Sequence, residues 1–465
     1  MQVDPYSVSM LYQGMDHNRI LGQYFTPEPV IALCYRMLQS LDPDTSNPHI
    51  IDPACGEGAF LTYALEHKIT PAERIYGIEK DPEVAASIKD LNILIADSLV
   101  FPAFNAQRST LNAPEGGYDW VVGNPPFGTQ NLTGTELGND FTIWHGRESP
   151  HYSIEILFLE RFWQLAKPGG YAAIIVPDGI LANARLSYVR EWLSQHAAIK
   201  AIISLPQHTF HRTGASAKTS ILVFRKSMPS NEPVLMKSLE PDMWEVPMLI
   251  GGERLDPAYY HPKYIENLRI LESLPNVVKF GELIEYTTYG QVGAREYTES
   301  GVRLLTPANL TTTSDGYVTG INLHSPERFV KSGSRNDPPR SRLRKGDLLL
   351  ANSGVGCIGR AAVFKSDELY NISQHINLVR VKDIEPEYLA VYLQTKFARL
   401  QIHREKCGVG PCGINFDRIR SILVPIPSQD LCKEIVKGYA RLSAHPDNIR
   451  RLVEGLEDSI FSGNN

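Results

Sequence analysis

"IIDPACGEGAFL", residues 50–61, decides the fold. A short apolar run ends on an acid, Asp52, passes two closely spaced glycines and opens into a stretch that reads as a helix. Gly56 and Gly58 let the backbone turn tightly and come close to a ligand, and the helix start that follows suits an anion, as in dinucleotide sites. The third glycine of the dinucleotide fingerprint is missing, however, with Ala59 and Phe60 in its place. Asp52 at the strand end suits a cationic ammonium. A ligand carrying an amino acid therefore fits better than one carrying a pyrophosphate.

Outward from this turn, the segments 48–52, 74–79, 92–96 and 118–123 are short, apolar and rich in Ile and Val. Helical stretches fit between most of them. A longer helix fits 153–167 and is stopped by Pro168 and Gly169, "YAAIIVP" (171–177) reads as a buried strand, and helix 184–195 and strands near 199–205 and 219–225 follow. Strand–helix alternation of this kind predicts a mostly parallel α/β sheet with helices on both faces. In such sheets ligands bind beyond the carboxyl ends of the strands.

Further acids fall at those ends. Glu79 closes "IYGIE", 21 residues after Gly58, where a carboxylate accepts from the two hydroxyls of a ribose. Asp81, followed by Pro82, reads as an ordinary helix cap. Asp97 in "LIADSL" ends a third strand, where it can accept from an adenine amino group. Three acids at three successive strand ends describe a nucleoside bearing an amino acid, S-adenosyl-L-methionine. Upstream, "GQYFTPEPV" (22–30) offers Thr26 as a helix N-cap with Pro27 at the first helical position. Tyr24 and Phe25 before it belong either to the core or to a cover over the cofactor.

"VVGNPPFG", 121–128, is a stiff exit from a strand. Asn-Pro often simply starts a turn. The chemical reading begins with adenine N6, whose lone pair is delocalised into the ring. Two acceptors aimed at the N6 hydrogens draw that nitrogen toward tetrahedral geometry and stabilise the charge that builds as a methyl group arrives. The Asn124 side-chain oxygen is one acceptor and the Pro125 carbonyl the other. Proline fixes φ and offers no competing N–H, and Pro126 biases Pro125 away from helical ψ. Phe127 gives the base a face to stack on, worth ~1–3 kcal/mol. A base inside a duplex must be rotated out to reach such a pocket. Phe210 is either a second wall or plain core, and the polar, Gly-rich 128–150 reads as a mobile loop beside the site.

The 465 residues are too many for one ordinary core. No apolar run is long enough to cross a bilayer, and the N-terminus carries no secretory signal. Six cysteines make no disulfide framework, so a reducing cytoplasm is expected. Cys407 and Cys412 lack the partners of a zinc site. The net charge of −6 does not announce a nucleic-acid binder, yet 279–427 holds 20 Lys+Arg against 15 Asp+Glu. Its densest run, "RFVKSGSRNDPPRSRLRK" (328–345), is either a solvated loop or a phosphate-contacting surface.

"QYFTP", "DPACGEGAFL", "YGIEKDP", "ADSL" and "GNPPF", in this order and spacing, resemble the gamma-class N6-adenine DNA methyltransferases of restriction–modification systems over residues 20–226. "RLDPAYYHPKY", "VVKFGELIEY", "LRKGDLLLANSGVGCIGRAAVF" and "ILVPIPSQDLCKEI" resemble one target-recognition half of a type I specificity subunit. The resemblance implies a Rossmann-like S-adenosylmethionine-dependent methyltransferase domain over 1–240 and a linker over 241–278. A mixed α/β target-recognition domain over 279–427 and a helical spacer or dimerisation segment over 428–465 follow. It implies a catalytic loop of Asn124, Pro125, Pro126 and Phe127. Its cofactor set is Tyr24, Thr26, Asp52, Ala54, Gly56, Gly58, Glu79, Asp97, Ser98 and Asn124. Phe127 and Phe210 meet the flipped adenine; separately, if the basic run is a phosphate-contacting surface, its Arg340, Arg342, Arg344 and Lys345 meet DNA. Double-stranded DNA, a second copy or a restriction subunit are the expected partners, with no metal and no membrane. Methylation of cytosine N4, RNA adenine or protein glutamine, and an inert specificity factor, are the competing readings.

Overall fold

A computed structural model describes residues 26–100, 114–130, 141–144, 152–210, 218–240, 242–290, 297–354, 356–406 and 413–462. The chain divides into two compact units, 1–260 and 261–465.

Among the described residues of the first unit, nine strands form one sheet: β1 (Ile50–Asp52), β2 (Ile75–Glu79), β3 (Asn92–Ile95), β4 (Tyr118–Gly123), β5 (Ala166–Pro177), β6 (Ala198–Ser204), β7 (Thr219–Arg225), β8 (Val234–Ser238) and β9 (Trp244–Met248). Their order is β9-β8-β6-β7-β5-β4-β1-β2-β3. The pairs from β5 through β4, β1 and β2 to β3 are parallel, whereas β7 runs antiparallel to both its neighbours. The order reverses at β1, which lies between β4 and β2. The crevice beyond the ends of β1 and β4 is where a sheet of this kind takes its ligand.

Side chains along each strand alternate between two buried clusters, as the pleat requires. Ile50, Trp120, Val122, Ala173 and Ile175 pack with Val30, Ile31, Cys34, Tyr35 and Leu38 of α1 (Glu28–Leu41) and with Phe60 and Leu61 of α2 (Ala59–Glu66). Ile51, Val121, Ala172 and Ile174 pack instead with Leu157, Phe158 and Phe162 of α3 (Ile154–Leu165) and with Trp192 and Leu193 of α4 (Ser187–His196). Helices therefore cover both faces, as expected from the strand–helix alternation.

The stretch 241–278, expected as a linker, is folded instead. Its first part supplies edge strand β9 and the turn Pro257–Tyr260 to the first unit, and its second part forms helix Pro262–Glu272 of the other. Pro247 sits on the edge strand and Pro262 at the first position of that helix, places that tolerate proline.

The second unit holds a four-stranded antiparallel sheet, ordered β10-β13-β11-β12, from β10 (Ile284–Tyr289), β11 (Leu348–Ala351), β12 (Ala361–Val363) and β13 (Ile376–Val381). Helices Gln429–Ala440 and Asn448–Phe461 fall where the terminal helices were expected. They do not stand apart as a spacer. Ile435, Tyr439, Ile449, Val453, Leu456 and Ile460 are buried in the cluster that holds Leu348, Tyr388 and Phe397. The Tyr439 hydroxyl also accepts from the Val363 N–H at 3.1 Å. Among the described residues no helix is long and apolar enough to cross a membrane.

Candidate active site

Four loops meet beyond the ends of β1, β2, β3 and β4. Asp52, the last residue of β1, is buried, and its Oδ1 accepts from the Ala54 N–H at 3.0 Å. Burial pushes its carboxyl up to about 7 against the Ala54 hydrogen bond, and the charge on Glu79 adds to the rise. No basic side chain bonds Asp52 among the described residues, so this carboxylate lacks a countercharge.

Gly56 and Gly58 have φ of +53° and +80°, the left-handed region that glycine enters without strain. That conformation turns the Gly56 N–H onto Glu79 Oε2 at 2.9 Å, while Glu79 Oε1 accepts from the Asp81 N–H at 2.9 Å. Each Glu79 oxygen keeps a further acceptor position. Asp81 caps the short helix after it, accepting from the Glu83 N–H at 2.9 Å, as its sequence context predicts. Asp97 Oδ1 accepts from the Leu99 N–H at 2.9 Å. Ser98 is buried, and its hydroxyl donates to the Pro53 carbonyl, so it ties the third loop to the first.

The most informative contact joins Asn124 to Thr26. Asn124 Nδ2 donates to Thr26 Oγ1 at 3.1 Å. Asn124 Oδ1 is buried and has no hydrogen-bond partner among the described residues. A buried unsatisfied oxygen costs about 1–3 kcal/mol, and such exceptions mark sites of function. Thr26 is thus not the cap of α1. The helix begins at Glu28 with Pro27 as its N-cap and no side-chain cap bond. Thr-Pro has the same spacing in either role, which is why sequence alone favours the cap.

The loop after Asn124 is tied at its far end too. The Gly128 N–H donates to Glu155 Oε2 at 2.9 Å, and the Gly128 carbonyl accepts from the Ile154 N–H at 2.9 Å, both at the start of α3. Burial raises the Glu155 carboxyl, opposed by that Gly128 N–H. Pro125 is buried, and Phe127 is half-buried against the cluster of α1 and α2. Phe210 is 2 % exposed inside the same cluster, so its ring lies in the core rather than on an open wall. Tyr24, Phe25, Cys407, Cys412 and most of 128–150 lie outside the described residues.

Two residues were missed by sequence reasoning. Asp178, just past β5, accepts from the Ser220 hydroxyl at 2.7 Å. Burial pushes it up to about 6, opposed by Ser220 and Lys218 and reinforced by Asp256. It too follows a strand end, the signal that found the other acids. Ile95 is 55 % exposed although it pairs in register with Glu79, an uncovered apolar side chain beside the site.

In the second unit the expected basic set divides. The Arg342 guanidinium bonds buried Asp337 at 2.6 Å, Lys345 lies 3.7 Å from Asp367, and Arg340 and Arg344 are exposed with no carboxylate partner among the described residues.

Comparison with known proteins places the chain in a family. Residues 4–245, just over half of the chain, match the N-6 DNA Methylase family, and the chain belongs to that family. Residues 319–457 match the Type I restriction modification DNA specificity domain. The chain is 29 % identical over 238 residues to the type I restriction enzyme EcoEI methylase subunit of Escherichia coli, covering 48 % of this chain and 46 % of that protein. It is 25 % identical over 261 residues to the EcoKI methylase subunit of Escherichia coli strain K12, covering 48 % and 44 %. With the type II restriction enzyme and methyltransferase RM.BcgI of Heyndrickxia coagulans it is 25 % identical over 255 residues, covering 51 % and 36 %. The chain thus spans less than half the length of these curated relatives. Both expected resemblances, to N6-methyltransferases and to specificity subunits, are found.

Proposed function

We propose that the chain is a sequence-specific DNA methyltransferase that transfers a methyl group from S-adenosyl-L-methionine to N6 of a flipped adenine, within a restriction–modification or related defence system. The observation that carries this reading is the orphaned Asn124 Oδ1, held at the end of β4 by Thr26. Because Nδ2 is spent on Thr26, the oxygen is the face left for substrate. An acceptor there, with the Pro125 carbonyl as second, matches an amine that must give up planarity. No strong base is needed, since a protonated methylamino-adenine releases its proton readily to water.

The residues fit the cofactor. Asp52 is a buried carboxylate short of a positive partner, and the ammonium of an amino acid supplies one. Glu79 retains acceptor positions for ribose hydroxyls, Asp97 for the adenine amine, and Ile95 offers the base an apolar contact. When bound, S-adenosylmethionine supplies the electrophilic methyl group. Double-stranded DNA is the proposed substrate, and a second copy or a restriction subunit the proposed partner. Labelled S-adenosylmethionine with plasmid DNA, followed by identification of the modified base, tests the reading. Label in N6-methyladenine is expected, and label in RNA or protein but not DNA overturns it.

Two predictions arise from this site. Thr26→Val keeps the side-chain volume but removes the hydroxyl, freeing the Asn124 amide to rotate. The expected result is a loss in kcat of roughly tenfold, the size of one hydrogen bond, with cofactor Kd unchanged and Thr26→Ser restoring the rate. A weaker cofactor Kd at unchanged kcat makes Thr26 a cofactor contact instead.

The second concerns pH. Asp52 has a folded pKa near 7, above its ordinary 3.8. The ligand-free folded protein therefore holds more protons than the unfolded chain between about pH 4 and 7, and its stability falls as pH rises through that window. Cofactor binding needs the ionised form, so its affinity should rise from pH 6 to 8. Isothermal titration across that range checks this, and Asp52→Asn should abolish the slope and weaken binding at pH 8.

A further inference from the structure

We propose that the second unit carries a phosphate-binding cleft for the backbone of duplex DNA, with Arg340 and Arg344 as its working cations and Arg342 and Arg380 as its frame. A cavity of about 550 Å³ is lined by Tyr286, Pro339, Arg340, Arg342, Leu343, Arg344 and Arg380. Four arginines therefore line one concave site, and one of them, Arg380, comes from a strand far from the basic run.

These four are not equivalent. Arg380 on β13 pairs in register with Tyr286 on β10, its guanidinium 5.0 Å from that ring. Its Nε meets Asp347 Oδ1 at 2.8 Å, and its Nη2 also donates to the Arg342 carbonyl at 3.2 Å. Arg342 is held by Asp337 at 2.6 Å. Burial works to raise the Asp337 carboxyl, but Arg342, the Gly333 N–H and the Asn371 amide together hold it below the usual carboxylate range. Both acids are almost fully buried. These two pairs are charge-neutral supports.

Arg340 and Arg344 lack such acids. Arg340 is fixed through its backbone, whose carbonyl accepts from the Tyr286 hydroxyl at 2.8 Å, while its guanidinium lies 5.9 Å from the Tyr289 ring. Arg344 meets Asp347 through its backbone N–H at 2.7 Å, and its exposed side chain has no carboxylate partner among the described residues. Among the described residues the cleft is thus lined by two positive charges that have no carboxylate partner, on backbone that is held in place. Guanidinium forks match phosphate oxygens, and two of them suit adjacent phosphodiesters. Lys345 is not part of the lining, and its ammonium faces Asp367.

The inference rests on the reading of the second unit as a DNA-contacting domain, and its test separates the two. Binding of the full chain to a duplex is measured by fluorescence anisotropy across a salt series, alongside methyl transfer. Each neutralised phosphate contact removes about 0.9 from the slope of log K against log salt. Arg340→Gln/Arg344→Gln should lower that slope by about 1.8, with cofactor binding and circular dichroism unchanged. An unchanged slope in the double variant, with wild type still methylating DNA, overturns the cleft and leaves the function standing. A lowered slope with no methyl transfer by wild type upholds the cleft and overturns the function. Failure of wild type to bind duplex at low salt overturns the cleft. Thermal stabilisation by inorganic phosphate that the double variant loses, at an unchanged DNA slope, reassigns the cleft to a small anion and likewise overturns the proposal.

Discussion

Asn124→Ala is expected to reduce methyl transfer about 10²–10³-fold, the loss typical of removing one preorganised partner of a charge that develops in the transition state. The variant deletes the only side-chain acceptor of the loop and leaves Asp52, Glu79 and Asp97 in place. The Thr26 contact is lost with the amide, but the Gly128–Glu155 bond still tethers the far end of the segment. Cofactor Kd should therefore stay within a few-fold of wild type, while single-turnover rates collapse. Asn124→Asp separates charge from position. A carboxylate can still accept from N6, but Thr26 must then donate to it, so partial activity is expected. Near-normal turnover of the alanine variant sinks the catalytic assignment.

Gly123→Ala should damage the site more broadly than Asn124→Ala. A Cβ there would lie 2.5 Å from Asp52 Oδ1 and 2.9 Å from its Cγ, at a φ of +155° that side chains rarely adopt. Asp52 cannot swing aside freely, because Ala54 holds it and the strand on its other side is β2. Overpacking of this kind costs about 1–3 kcal/mol, and here the strain falls between the last residues of β1 and β4. The expected result is a lowered Tm together with loss of both cofactor binding and methyl transfer. Retention of cofactor affinity would show that the two strand ends are not one site. The contrast with Asn124→Ala, where binding survives, is itself diagnostic.

Much of this was legible before any coordinates. The acids at strand ends are found because a parallel sheet repeats its ligand-facing position at every carboxyl end, and Asp52, Glu79 and Asp97 each occupy one. The strands 50–52, 75–79, 92–95 and 118–123 fall within a residue or two of their expected places. Other features depend on distances that no local pattern carries. The partner of Thr26 lies 98 residues away, so its hydroxyl reads as a cap. Arg380 sits in "INLVRV", which reads as an ordinary strand, and only the register with β10 brings it beneath Tyr286. The basic run was visible as charge, but which of its cations are already neutralised depends on Asp337 and Asp347 and on who faces them. Phe210 was balanced between two roles, and burial settles its location. The stretch 241–278 was expected as a linker, whereas the chain builds an edge strand and a helix from it.

The burial pattern has an evolutionary consequence. The apolar clusters of residues 30–260 and those of residues 271–460 share no member. A substitution that loosens packing around β10 to β13 therefore draws on a different reserve of stability from the one that keeps Asn124 in place. On the proposed reading, drift in what the second unit reads on a target can accumulate without eroding the chemistry of the first.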